Sequence, residues 1–314
     1  MDLEILRRLK ENIAKVMIGN ERTTELLLTS LLARGHVLLE DVPGTGKTVL
    51  AKSLAKSLEG KFGRVQFTPD LLPSDVTGLN YYDAGKGKFI FQEGPVFCSI
   101  LLADEINRAT PKTQSSLLEC MAENQVTIDG VTRKLETVFF VVATQNPVEN
   151  LGTFPLPEAQ MDRFLMRISM EEMTKSQELA MAERFMRQEP LAGLGSVCTK
   201  EEIAALQKQC QEIYIHGDLL DYMIEIVRAT RRHEKAEYGV SPRGTLAFIR
   251  AAQGFAMVGG RDYVIPEDIK SIAVPVLSHR IGLAAAAGRT KGEEALIEEI
   301  LNTVPVPTEE WKKH

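Results

Sequence analysis

Apolar side chains return every three or four positions over residues 3–16, a spacing that predicts an amphipathic helix. Met17-Ile18-Gly19-Asn20 breaks the pattern, and a second helix is predicted from about Glu21 to Ala33. Short buried runs then alternate with helical stretches. Val37–Leu39 reads as a strand, Thr48–Leu58 as a helix, and Val65–Phe67 as a strand. Ser99–Ala103 is a further buried strand, followed by a helix over Pro111–Glu123 with proline in its first turn. Val138–Ala143 is another buried strand, ending at Thr144-Gln145-Asn146-Pro147. Fully apolar strands separated by helices predict an α/β fold: a three-layer αβα core around a mostly parallel sheet.

Two stretches depart from that rhythm. Residues 68–98 are rich in Gly, Pro and aromatics, and the β-prone runs flanking Asp83–Lys88 predict a projecting hairpin at about 80–92. Gln125–Ile128 and Thr132–Leu135 flank Asp129-Gly130, a strong two-residue turn signal, so a second hairpin is expected at about 125–135. From about Thr174 the strand signals vanish, and helical periods cover 174–188, 200–212, 218–233, 242–257 and 266–278. The expected division is an α/β core over 1–172 and an all-helical lid over 173–314. The tail from about Thr290, with Val304-Pro305-Val306-Pro307 and Trp311, is expected to pack on the lid.

The 314 residues suffice for two domains, and 44% hydrophobic with 25% charged residues describes an ordinary globular chain. A net charge of −6 weighs against non-specific nucleic-acid binding, which calls for a basic surface. Cys98, Cys120, Cys198 and Cys210 lie far apart and form no Cys-x-x-Cys pair. They read as small core residues in a reducing compartment, and with no signal-like N-terminus the expected location is cytoplasmic. No apolar run approaches the roughly 20 residues needed to span a bilayer.

The chemistry begins after the first strand. Glu40-Asp41-Val42-Pro43-Gly44-Thr45-Gly46-Lys47-Thr48 is a strand, a glycine-bearing turn and a helix start. Backbone N–H groups and a helix N-terminus converge there, which suits phosphate. Lys47 would reach the β- and γ-phosphates, and the Thr48 hydroxyl would ligate Mg²⁺. Asp41 occupies a position where this spacing usually has glycine; repulsion predicts that its side chain turns outward or caps the turn.

Ile100-Leu101-Leu102-Ala103 delivers Asp104 and Glu105 to the C-terminal end of a strand, where open α/β sheets bind ligands. Asp104 would hold Mg²⁺ through its water shell, and Glu105 would orient or deprotonate the attacking water. Asn146, at the end of the next buried strand, can hydrogen-bond both a γ-phosphate and that water. Arg163 follows a short helix and Arg243 opens a later one. Guanidinium groups suit phosphate, although on residue type alone a surface salt bridge is the stronger reading for both.

Together these motifs resemble the AAA+ ATPases, and most closely the MoxR family. The carrying strings are the phosphate turn, Thr68-Pro69-Asp70-Leu71-Leu72-Pro73-Ser74-Asp75, Ala103-Asp104-Glu105-Ile106-Asn107-Arg108-Ala109, Ala143-Thr144-Gln145-Asn146-Pro147, Leu156–Phe164 and Ser241-Pro242-Arg243. The resemblance implies ATP as substrate and Mg²⁺ as its ion. It makes Pro43, Gly44, Thr45, Gly46, Lys47, Thr48 and Val49 the Walker A contacts, with Thr48 and Asp104 at the metal. Glu105 completes Walker B, Asn146 looks like sensor 1, and Val16–Asn20, with Ile18 and Gly19, resembles the segment that contacts adenine. Arg163 looks like an arginine finger acting on the neighbouring subunit, and Arg243 like a sensor 2 reaching its own γ-phosphate.

The family implies a homo-oligomer, expected to be a hexameric ring, that acts as a chaperone-like factor on a protein client. A von Willebrand A domain protein on a separate chain is an expected partner. Three alternatives stay open: a motor on nucleic acid, a nucleotide-gated scaffold with little turnover, and a metal-chelatase-like motor subunit. The first is disfavoured by the few basic residues on the hairpins, Lys86, Lys88, Arg133 and Lys134.

Overall fold

The computed structural model describes residues 3–40, 44–146, 152–187, 189–284 and 292–307. Helix α1 (Leu3–Ala14) buries Leu9 and Ile13 on one face, and α2 (Glu21–Leu32) buries Leu27, Leu28 and Leu31. Strand β1 (Val37–Glu40) is followed by α3 (Lys47–Ser57), the two-residue strand β2 (Leu58–Glu59) and β3 (Phe62–Gln66). Helix α4 (Pro73–Thr77) leads into the hairpin of β4 (Gly78–Asp83) and β5 (Lys88–Glu93). Strand β6 (Ile100–Asp104) re-enters the core, α5 (Pro111–Glu123) crosses back, and β7 (Gln125–Ile128) with β8 (Val131–Lys134) forms the second hairpin. Strand β9 (Phe140–Gln145), helix α6 (Glu158–Met161) and β10 (Met166–Ile168) complete this part.

The five sheet strands run parallel in the order β10-β1-β9-β6-β3. Alternation along each strand divides its side chains between two cores. Val37, Leu39, Ile100, Leu102, Phe140 and Val142 join the cluster that includes α1, α2 and α3. Leu38, Leu101, Ala103, Val141 and Ala143 join the one that includes Leu117 and Leu118 of α5. Each fully buried aliphatic side chain contributes about 1.5–3 kcal/mol, so the sheet is the rigid element on which the site is built.

A buried histidine sits inside this frame. His36, just before β1, accepts the Val141 N–H at Nδ1 (3.0 Å), so Nε2 carries the proton and donates to the Met121 carbonyl at 3.2 Å. Burial pushes its pKa down to about 4.

Beyond residue 170 come α7 (Lys175–Arg187), β11 (Cys198–Thr199), α8 (Lys200–Cys210), α9 (Gly217–Arg232), β12 (Ala236–Tyr238), α10 (Pro242–Val258), α11 (Pro266–Leu277), β13 (Gly282–Leu283) and α12 (Gly292–Thr303). The sequence expectation of helices alone here is corrected by three short strands. β11 pairs in parallel with β2, and β12 pairs antiparallel with β13. Pairs of two or three residues are too short to leave a period-2 signal. Strand β10 leaves no such signal for the same reason, with Arg167 interrupting its apolar run.

Helices α8 to α12 continue the cluster of α1 and α2. Helix α10 lies on α2, where a Cβ on Gly254 would stand 2.8 Å from the Thr29 carbonyl, so only glycine allows that approach. The tail packs as expected through Leu296, Ile297 and Ile300 of α12; Trp311 lies outside the described residues. All four cysteines are buried and unpaired, each thiol pushed up to about 12 by burial. Among the described residues no helix is long and apolar enough to cross a membrane.

Candidate active site

Strand β1 runs out of the sheet into the phosphate turn. Gly44 and Gly46 have φ of +91° and +94°, a region that costs an L-residue roughly 1–2 kcal/mol. Among the described residues nothing lies within 4 Å of where a Cβ on Gly44 would stand, and only Met17 Cε, at 3.7 Å, approaches that of Gly46. The glycines are needed for backbone shape, and the space beside them is open. The Gly46 carbonyl starts α3 by accepting the Leu50 N–H at 2.9 Å. Pro43 and Asp41 lie outside the described residues.

A cavity of about 330 Å³ opens at this edge, lined by Gly44, Gly46, Lys47, Thr48, Val49, Asp104, Glu105, Thr144 and Asn146. Residues far apart in sequence meet because β9, which carries Thr144 and leads into Asn146, lies between β1 and β6. The set fits a magnesium nucleotide. It offers a helix N-terminus and a lysine for phosphate, with a hydroxyl (Thr48) and a carboxylate (Asp104) as hard oxygen donors.

Thr144 organises the acidic pair. Its hydroxyl donates to Asp104 Oδ1 at 2.7 Å and accepts the Glu105 N–H at 2.9 Å. Glu105 has φ +56° and ψ +50°, left-handed and uncommon for a side-chain-bearing residue. The Thr144 bond helps fix this bend. Glu105 Oε2 accepts from Gln66 Nε2 at 2.7 Å and faces Arg108 at 3.1 Å. Asp104 Oδ2 faces Arg64 at 2.9 Å, and Arg64 also donates to Gln66 Oε1 at 3.3 Å. Two adjacent carboxylates are thereby compensated by cations from β3 and the turn after β6.

Thr144, Gln66, Arg64 and Arg108 were not singled out from sequence. The signal available was Arg64 and Gln66 at positions i and i+2, polar neighbours on one face of β3, whose register pairs Gln66 with Asp104.

The segment Val16–Asn20 lies beside the turn through Met17. Gly19, at φ +72°, packs under the Gln177 amide of α7, where a Cβ would stand 2.7 Å from Cδ. Ile18 is half-buried next to it.

Arg163 is elsewhere. One guanidinium nitrogen donates to the Leu118 carbonyl at 3.3 Å, and Leu165 N–H bonds the His36 carbonyl at 2.8 Å. That is the N-terminal end of β1, whereas the cavity opens at its C-terminal end, so roughly 10 Å of strand lies between them. Arg243, exposed in the first turn of α10, is mounted beside the segment that carries Arg163 and is not among the residues lining the cavity. The helix N-cap Ser241 donates to Asp162 at 3.4 Å, and Gly244 packs on Arg280, which in turn bonds the Asp162–Leu165 segment. The structure therefore does not bring Arg243 to its own subunit's phosphate position, as the sequence expectation had it.

The chain's likenesses agree with this architecture. The model of the ATPase family associated with various cellular activities (AAA) matches residues 36–166, and an AAA lid domain model matches 228–300. Chaperone MoxR1 of Mycobacterium tuberculosis is 39% identical over 98% of this chain and 83% of its own length. The chain belongs to the MoxR family of AAA ATPases. The uncharacterized protein YeaC of Bacillus subtilis is 47% identical over 97% of this chain and 96% of its own length. Protein MoxR of Paracoccus denitrificans is 34% identical, covering 93% of each. A crystal structure named as a candidate ATPase of Cytophaga hutchinsonii superposes with a TM-score of 0.90 at 39% identity, covering 98% of this chain and 96% of that one. As a MoxR-type AAA ATPase, the chain binds nucleotide and hydrolyses ATP.

Proposed function

We propose that this MoxR ATPase works as a ring whose sites are shared between subunits, and that hydrolysis remodels or activates a protein client. The observation that carries the reading is the separation of Arg163 and Arg243 from their own cavity. Both arginines lie at the N-terminal edge of the sheet, while Lys47, Thr48, Asp104, Glu105 and Asn146 line or border the C-terminal edge. A cation that stabilises a phosphoryl transition state can be worth about 10³–10⁵ in rate when a neighbour supplies it, as in GTPases. On this reading Arg163 and Arg243 both serve the next subunit.

Within one subunit the turn amides and Lys47 bind and orient the phosphates. Mg²⁺, held by Thr48 and through water by Asp104, would neutralise developing charge on the phosphate oxygens. Glu105 takes the proton of the attacking water, and Asn146 donates to the γ-phosphate. The name of the Mycobacterium relative supports a chaperone-like role. A separate von Willebrand A domain protein is the proposed partner, on family resemblance. Nucleic acid is disfavoured by the net charge of −6 and because Arg133 is engaged over the Phe91 ring at 3.9 Å.

Steady-state ATP hydrolysis across a protein-concentration series tests the shared site, with Glu105→Gln and Arg163→Ala alongside. Specific activity that rises with concentration and vanishes in both variants is expected. Slow turnover, independent of concentration and equal in wild type and Arg163→Ala, would remove the shared-site reading.

A further inference from the structure

Arg163 and Arg243 come from distant parts of the chain, yet one buried side chain touches the mounts of both. Arg280, in the turn Ser278–Arg280, is only 6% exposed. Its Nε donates to Asp162 Oδ1 at 2.7 Å. Its terminal nitrogens donate to the carbonyls of Asp162 (3.3 Å), Phe164 (2.5 Å), Leu165 (3.1 Å) and Val276. Asp162 and Phe164 are the residues on either side of Arg163. The other Asp162 oxygen accepts from Ser241 Oγ at 3.4 Å, and that same Oγ caps α10 by accepting the Gly244 N–H at 3.1 Å. A Cβ on Gly244 would stand 2.8 Å from Arg280 Cδ, so the helix turn bearing Arg243 rests directly on the guanidinium stem.

A buried ion pair is a poor way to add stability, because desolvation consumes much of its Coulombic gain. What a planar guanidinium supplies is direction: its donors fix several acceptors at once in one geometry. Here the acceptors are the backbone around Arg163 and a carboxylate shared with the cap of the Arg243 helix.

We propose that Asp162 and Arg280 form a positioning clamp that holds Arg163 and Arg243 as one unit, so that a subunit presents both cations to its neighbour in a fixed relative geometry. The proposal rests on the shared-site reading above. Neither clamp residue touches nucleotide. Their effect on hydrolysis passes through the two arginines and is felt in the adjacent subunit's cavity.

The test uses two inactive full-length chains. Glu105→Gln lacks its own hydrolysis but keeps both arginines, and Arg163→Ala keeps an intact cavity but lacks the finger. Mixed, they should regain hydrolysis wherever an Arg163→Ala cavity meets a Glu105→Gln neighbour. Asp162→Asn is then added to one partner at a time. Added to the arginine donor, it is expected to lower the recovered kcat roughly ten- to a hundred-fold, the scale of a misplacement near 1 Å, with KM for ATP unchanged. Added to the arginine acceptor, it should leave at least half of the recovered rate. Arg280→Lys, which keeps the charge and loses the fork, should repeat that asymmetry, and melting temperatures of each chain taken in parallel separate lost fold from lost positioning.

Equal loss in both placements would make the pair a general structural element and overturn the clamp. No loss in either placement would overturn it too. If the parent mixture recovers nothing, the shared-site reading itself fails and the clamp falls with it, an outcome distinct from recovery without asymmetry.

Discussion

The Gln66 side-chain amide donates to Glu105 Oε2 at 2.7 Å, joining the edge strand β3 to the proposed catalytic carboxylate at the end of β6. The same oxygen faces Arg108 at 3.1 Å. While it lasts, that bond occupies a carboxylate lone pair that would otherwise accept the proton of the attacking water. Gln66→Ala should therefore raise turnover per assembled subunit about two- to five-fold with KM for ATP unchanged. A fall in kcat instead would assign the amide an orienting role.

Thr144 carries two bonds on one hydroxyl. Thr144→Val keeps the shape but leaves Asp104 Oδ1 without its donor and the Glu105 N–H without its acceptor. An unsatisfied group of this kind costs about 1–3 kcal/mol. Hydrolysis should drop at least about ten-fold, and Thr144→Ser, which restores the hydroxyl, should recover most of it. Chemical denaturation and initial rates on the three proteins decide the matter; equal rates for Val and Ser would exclude a role for the hydroxyl.

Gly46→Ala separates binding from folding. Among the described residues the added methyl meets only Met17 Cε at 3.7 Å, so the penalty is the backbone at φ +94°, about 1–2 kcal/mol. The turn will relax toward negative φ and turn its amides away from the phosphate. Affinity for a fluorescent ATP analogue should fall at least about ten-fold while the melting temperature moves by only a few degrees. Unchanged affinity would contradict this account of the turn.

Acid should weaken the fold through its buried histidines. His36 titrates near 4 in the folded chain against an ordinary 6.5, and burial likewise pushes His279 well below that value. As pH falls below about 6.5 the unfolded chain takes up protons that the folded chain refuses. Stability from these groups is thus complete above pH 6.5, declines below it, and for His36 levels off near pH 4. The slope is about 1.4 kcal/mol per pH unit for each histidine, on the order of 3 kcal/mol in all for His36. Urea unfolding at pH 7, 6 and 5 should show His36→Gln with a slope shallower by about one proton. Identical slopes would mean that His36 does not titrate as its burial requires.

Much of this could be read before any coordinates. The strand at 37–40, the Pro111–Glu123 helix and the Asp129-Gly130 hairpin turn stand where periodicity and turn chemistry put them, with φ of +50° and +76° at the turn. Lys47, Thr48, Asp104, Glu105 and Asn146 converge on or beside one cavity as their motifs imply. What stayed hidden depends on strand order and long-range packing. Thr144 matters because β9 neighbours β6, and Gln66 because β3 does, facts no local spacing contains. The side on which Arg243 lies depends on a contact between Asp162 and Arg280, 118 residues apart.

The strand that separates β1 from β6 has a consequence of scale. Neighbouring strands lie about 4.8 Å apart, so the ends of β1 and β6 are held roughly 10 Å from each other across β9. That span is a gauge cut in backbone hydrogen bonds rather than side chains. Substitutions in the hairpins, the tail or the outer helices can retune what the protein grips without changing the gap in which a phosphate is severed.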